Sequence, residues 1–233
     1  MKLTTTILSP FVHFFYPHNC IGCGSDIIES GNFLCLDCIN DLPHTGFALH
    51  PGNPVEKIFW GRLPITSAMS EFYFSKDSII QNCIHEFKYR GNKKLGLYLG
   101  KIMGKSMLNS NRFSNIDYLI PLPLFTAKES KRGFNQSSIL CSGINEIMNL
   151  PILTQNVKRI VHTETQTKKG RIQRWENVEK SFLVTEPAML KGKHILLVDD
   201  VITTGATIEA CGREILKIEG TKLSVASLAI SKK

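Results

Sequence analysis

No stretch of the 233-residue sequence approaches the ~20 consecutive apolar residues that cross a bilayer, so no membrane span is expected. No internal repeat and no low-complexity tract is present. Charged residues make up 21% against 42% hydrophobic ones, an ordinary balance that argues against wholesale disorder. The seven cysteines are an odd number, which argues against a complete disulfide framework. Near the N-terminus Lys2 precedes Leu3, Ile7, Leu8, Phe11, Val12, Phe14 and Phe15. Pro10 and His13 interrupt that apolar run, and no small-residue cleavage site precedes Pro17. The segment is expected to be a short amphipathic helix packed on the body, and the protein to be cytoplasmic.

What the chain does have is a net charge of +8, which suits anionic partners (phosphate ligands, nucleic acid, a membrane surface) without choosing among them. Its length allows one core plus a small satellite module, divided here as residues 1–45 and 46–233. Gly46, Pro51, Gly52, Pro54, Gly61 and Pro64 mark 46–64 as a connection. A strand is expected within 65–75, helices at 77–90 and 93–108, a strand at Tyr118–Ile120 ending at Pro121, and a helix at 136–148. Strands follow around Ile152 and at 157–161, with a long polar and basic loop at 162–178. The continuous apolar run His194–Val198 reads as a strand covered on both faces, as in a parallel sheet. A helix at 206–219 and a strand at 222–230 complete an alternation that means α/β.

Two cysteine pairs, Cys20-Ile-Gly-Cys23 and Cys35-Leu-Asp-Cys38, are separated by eleven residues. Each pair can form a tight knuckle whose thiolates converge on one ion. Four thiolates at ~2.3 Å close a tetrahedral zinc site with no position left for water, which makes the metal structural. So short a segment has too little apolar surface to fold alone, and the ion supplies the stabilisation. An iron–sulfur cluster is the weaker alternative. His18 and His44 flank the site but are surplus to it. Cys83, Cys141 and Cys211 are scattered and expected as small buried residues.

The second constellation is Ile195-Leu-Leu-Val-Asp199-Asp200-Val-Ile-Thr203-Thr204-Gly205-Ala206-Thr207. An apolar strand ends in two carboxylates, and a small hydroxyl-rich loop leads into a helix. Backbone N–H groups and the helix dipole at such a junction favour a phosphate, and Gly205 permits close approach or positive φ. Thr203, Thr204 and Thr207 can add hydroxyl donors, and Asp199 and Asp200 can accept from adjacent ribose hydroxyls. The carboxyl end of a strand is where open α/β sheets bind ligands.

This stretch resembles the phosphoribosyl pyrophosphate (PRPP) signature of type I phosphoribosyltransferases. Pro121-Leu-Pro123, Lys131-Arg132-Gly133-Phe134-Asn135-Gln136, Phe87-Lys88-Tyr89-Arg90-Gly91 and the cysteine pairs narrow the resemblance to the ComF family of bacterial competence-associated proteins. The resemblance spans about residues 10 to 230. It implies a type I phosphoribosyltransferase fold with a zinc-ribbon-like module. By position, Asp199 and Asp200 would hold the ribose hydroxyls and residues 203–207, Ala206 among them, the 5′-phosphate. Pro121 and Leu122 would face the pyrophosphate, and Arg132 and Lys88 would contact pyrophosphate or nucleic acid. Residues 162–178 would close over the ligand. The chain departs from the family pattern at Lys128, where Arg is usual, turning a bidentate phosphate contact into a point charge, and at Lys169, where Leu is common.

The resemblance leaves three functions open. The first is a Mg2+-dependent phosphoribosyltransferase working by positioning and electrostatics, with no recognisable purine or pyrimidine pocket. The second is a single-stranded DNA-binding protein of DNA uptake, using basic residues such as Lys88, Arg90, Lys131, Arg132, Arg159 and Arg174 and working with DNA-processing partners. The third is a PRPP sensor without turnover.

Overall fold

The computed structural model describes residues 19–26, 31–125, 129–130, 132–160 and 181–231. The expected N-terminal helix, the loop 162–178 with Lys169 and Arg174, and Lys128, Lys131 and His18 lie outside them. In chain order the elements are α1 (Leu36–Asn40), α2 (Pro54–Phe59), β1 (Ala68–Phe74), α3 (Ile79–Tyr89), α4 (Lys93–Leu108), β2 (Tyr118–Pro121) and α5 (Gln136–Met148). There follow β3 (Val157–Arg159), β4 (Phe182–Val184), β5 (His194–Ile202), α6 (Ala206–Leu216) and β6 (Lys222–Ser231). Among the described residues no helix is long and apolar enough to cross a membrane.

Four parallel strands make the main sheet in the order β1-β6-β5-β2. Every residue of β6 from Leu223 to Ile230 is buried, as a strand with neighbours on both sides and helices on its faces requires. One apolar core runs from Cys20, Leu34 and Cys38 through the sheet to Ile230, and it includes Cys83, Cys141 and Cys211, each fully buried as expected. Helices α4 and α5 approach closely because glycines meet there: a Cβ on Gly100 would lie 2.5 Å from the Leu140 carbonyl, and one on Gly143 2.3 Å from that of Leu97.

Several expectations need correction. β5 does not stop at Val198. It continues to Ile202 because β6 offers partners that far, Asp199 lying opposite Ser227 and Ile202 opposite Ile230. The 46–64 stretch contains a helix, α2, with Pro54 in its first turn and Asn53 as cap, accepting from the N–H groups of Val55 (3.0 Å) and Glu56 (3.2 Å). Ile152 makes a single parallel bridge to Leu119 rather than a strand. The strand expected at 157–161 is β3, which pairs antiparallel with β4 in a sheet of its own. Helix α6 ends at Leu216, short of residue 219.

The packing of α2 positions the site. Buried Glu56 accepts from the N–H of Ala68 at the start of β1 (3.1 Å) and forms an ion pair with Arg112. Asn53 donates to the Ala68 carbonyl (2.8 Å). These buried polar groups find their partners within the body, as buried polar groups must, and they fix the far end of α2 against the sheet.

Candidate functional site

The twin acids lie where the sheet opens. The last pair between β2 and β5 is Pro121 with Val198, and Leu122 N–H still donates to the Val198 carbonyl (2.8 Å). Beyond that point, among the described residues, β5 keeps β6 on one side only. Successive residues of an extended strand face opposite ways, and the two carboxylates take different partners. Asp199 accepts from the Asp200 N–H (2.8 Å) and faces the Ser137 hydroxyl at the start of α5 (3.5 Å). Asp200 is paired with Lys88 Nζ at 2.8 Å, both side chains about one-seventh exposed (14% and 15%). Burial, and then the neighbouring Asp200 charge, push the Asp199 carboxyl up to about 7.

The turn after β5 carries Thr203 and Thr204 exposed to solvent. Gly205 is buried and caps α6 in the left-handed conformation, φ 73°. A Cβ there would come within 2.8 Å of Ile58 Cγ2 and 2.9 Å of Phe59 Cε1, so the loop can rest on α2 only with glycine. Arg62 ties the loop down. Its Nη1 donates to the carbonyls of Thr204 and Ile58 (3.1 Å each), and its Nε donates to Glu209 in the first turn of α6 (2.9 Å). The start of α6 therefore lies beside exposed hydroxyls in a loop held from behind, with the Ala206 N–H donating to Thr204 Oγ1 at 3.5 Å. A cavity of about 470 Å³ borders it, lined by Pro54, Ile58, Arg62, Tyr73, Thr203, Thr204, Ile230 and Ser231.

The other wall follows β2. Asn135 caps α5, accepting from Ser137 N–H (2.9 Å), and donates to the Leu122 carbonyl (3.0 Å). Arg132 donates to Gln136 Oε1 (2.7 Å), with its guanidinium 5.9 Å from the Tyr89 ring. Gln136 is fully buried, and its Nε2 has no hydrogen-bond partner among the described residues. Phe134 is core, its ring 5.7 Å from Phe87. Pro121, Pro123, Asn135, Ser138 and Arg159 help line a smaller polar cavity of about 270 Å³.

The basic residues expected to follow nucleic acid are divided. Lys88 is turned inward onto Asp200. Arg159 lies 3.5 Å over the Phe125 ring and 5.2 Å from Phe182, and burial draws its pKa below the usual arginine range. Arg90 is exposed beside Glu86 (3.4 Å).

The four expected metal ligands converge: the Sγ atoms of Cys20, Cys23, Cys35 and Cys38 lie within 4.8 Å of one another. Cys23 and Cys35 are 3.8 Å apart, the edge of a tetrahedron with bonds of about 2.3 Å being roughly 3.8 Å. Cys20 Sγ accepts the Cys35 N–H (3.2 Å). Burial alone would raise its pKa, but N–H groups of Cys23, Cys35 and Gly22 outweigh that and lower it. The donor set fits a closed, soft-metal site. His44 is not part of it, since its Nδ1 pairs with Glu71 (2.8 Å).

Arg62, Glu209 and Ser137 were not anticipated from sequence. Arg62 sits in the Gly- and Pro-rich stretch, and no spacing rule links it to a loop more than a hundred residues away.

Comparison with known proteins agrees with this arrangement. The phosphoribosyl transferase domain family matches residues 148–233. Competence protein F of Haemophilus influenzae is 26% identical over 92% of this chain and 98% of its own. The DNA utilization protein YhgH of Salmonella typhimurium is 27% identical over 79% of this chain and 78% of its own. Among solved structures, the glutamine PRPP amidotransferase from B. subtilis superposes with a TM-score of 0.44 at 15% identity, over 63% of this chain and 30% of that enzyme. The parallel sheet order, the acid–threonine–glycine turn and the convergent cysteines, read beside the likeness to competence protein F over nearly the whole chain, give a phosphoribosyltransferase fold with a four-cysteine cluster in a chain similar to the competence proteins.

Proposed function

We propose that the protein binds PRPP with Mg2+ at the β5–α6 junction and acts as a ComF-type phosphoribosyltransferase-like protein in DNA uptake, inside the cell. The observation that carries this is the gap beyond Pro121 and Val198, where two strand-borne carboxylates stand beside an amide-lined helix start with exposed threonines. The 5′-phosphate would take the N–H groups of residues 205–207 and the hydroxyls of Thr203, Thr204 and Thr207. Asp199 and Asp200 would accept from the ribose hydroxyls, Lys88 moving from Asp200 toward the ligand. Arg132 and Gln136 Nε2, which has no partner among the described residues, would meet the pyrophosphate. Mg2+, when bound with the ligand, would neutralise the leaving pyrophosphate. Transfer would then break the C1′–pyrophosphate bond and join C1′ to an acceptor, with the carboxylates stabilising positive charge at the ring.

Zinc fits the four thiolates and would close the N-terminal module, residues 1–45, as a structural ion. The reading as a DNA-binding surface is less favoured, because Lys88 and Arg159 are engaged inward. The test is calorimetric titration of PRPP with Mg2+, alongside pyrophosphate release with a panel of bases, with and without single-stranded DNA. The double variant Asp199→Asn, Asp200→Asn should lose PRPP binding. Unchanged binding in that variant refutes the site.

A further inference from the structure

The cysteine module and the ligand carboxylates touch opposite ends of one helix. Helix α3 spans 11 residues, about 16 Å at 1.5 Å per residue. Its buried face is Ile80, Cys83, Ile84 and Phe87. At its first turns it meets the first cysteine knuckle: Asn82 Nδ2 donates to the Gly22 carbonyl at 3.0 Å, between Cys20 and Cys23. Gly22 itself is wedged, since a Cβ there would lie 2.7 Å from Cys38 Sγ and 3.1 Å from Ile79 Cγ2. A groove shared by Cys20, Ile21, Asn82, His85, Glu86 and Arg90 follows the contact along the helix. At the last turn Lys88 reaches Asp200.

A module that holds an ion can be loaded or stripped. Closed on its ion, it covers Ile79 and holds Asn82. Without the ion, so small a segment lacks the apolar surface to keep its shape, and the first turns of α3 lose their cover. The position of Lys88 depends on that helix, and the carboxylate pair depends on Lys88.

We infer that the metal held by the four cysteines sets the protein's affinity for PRPP, with α3 as the coupling element, Ile79 and Asn82 as positioning residues at one end and Lys88 at the other. This rests on the reading of Asp199 and Asp200 as the PRPP site. A coupling of this kind is reciprocal: if the metal tightens PRPP binding by some factor, PRPP must tighten metal binding by the same factor. The expected factor lies within roughly 5–150-fold, the usual range for coupled sites.

The experiment uses the full chain loaded with zinc. PRPP affinity is measured with Mg2+ before and after zinc is stripped and the chelator removed, and zinc release to a chromogenic chelator is timed with and without PRPP. Weaker PRPP binding after stripping, with slower zinc release in the presence of PRPP, is expected. A second arm keeps the metal: Asn82→Ala, alone and with Ile79→Ala, should retain one zinc per chain yet bind PRPP several-fold more weakly. Equal affinity in the loaded and stripped proteins overturns the coupling and leaves the ligand site standing. No PRPP binding to the loaded wild-type protein overturns both. If stripping unfolds the whole chain, judged by lost hydrogen-exchange protection in β5 and α6, the Asn82→Ala arm decides: zinc retained with unchanged PRPP affinity ends the inference.

Discussion

Substituting Gly205→Ala probes the contact between the β5–α6 loop and the body. Two costs are separable in the structure. The left-handed conformation at φ 73° costs an L-residue about 1–2 kcal/mol. The added methyl group meets Ile58 Cγ2 at 2.8 Å and Phe59 Cε1 at 2.9 Å, an overpacking worth about 1–3 kcal/mol. Loss of backbone freedom in the unfolded chain returns about 0.4–1 kcal/mol. The net destabilisation is about 1–5 kcal/mol, a drop in Tm of roughly 2–20 °C for a chain of this size. Urea unfolding of wild type, Gly205→Ala, Ile58→Ala and the double variant forms a cycle. Shortening Ile58 makes room on one side of the methyl group without changing φ, so the two substitutions should couple favourably by about 1 kcal/mol. A loss below about 0.5 kcal/mol in Gly205→Ala, or additivity in the cycle, would show that the loop does not rest on α2 as described.

Two further outcomes follow from the same site. Arg62→Ala frees the Thr204 carbonyl and should weaken PRPP binding roughly fivefold, about 1 kcal/mol, with little loss of stability because Arg62 is more than a third exposed; unchanged affinity measured by calorimetry would remove Arg62 from the loop's support. The pH response is set by Asp199, whose carboxyl is raised from 3.8 to about 7 in the fold. In the ligand-free protein it keeps its proton where the unfolded chain has lost it, so its contribution to stability fades as pH rises from about 4 to about 7. Ribose hydroxyls need the ionised carboxylate as acceptor, so PRPP affinity should rise through pH 7. Asp199→Asn should flatten that rise, and an equal slope in wild type and variant counts against the assignment.

The cysteine cluster was legible because four thiols at that fixed spacing have few other uses, and the fold brings their sulfurs together. The run Ile195–Val198 was legible because a strand with both faces covered leaves no alternation to misread. Its end was placed too early because Asp199 and Asp200 look like the start of a loop, whereas the register with Ser227 and Ala229 that prolongs the strand is a property of β6. Helix α2 was hidden by Pro and Gly density, although Asn53 before Pro54, with Glu56 in the first turn, is a helix-start signal in its own right. The pairing of Lys88 with Asp200 had no local signal at all. A lysine near a helix C-terminus is favourable on dipole grounds alone, and nothing in the chain announces that a carboxylate more than a hundred positions away will arrive beside it.

The strand order has a temporal side. β6, between β1 and β5, is the last strand to be synthesised of the four in the main sheet. Until residues 222–231 leave the ribosome, β1 and β5 have no common neighbour. The nascent chain therefore holds long apolar strands open to one another and to other chains, and the acid–threonine turn is made before the sheet that must carry it can close. Domains that complete their sheet early can fold as they emerge. Here the core closes only when residues 222–231 emerge, so chaperone demand during synthesis should fall sharply once β6 has left the ribosome.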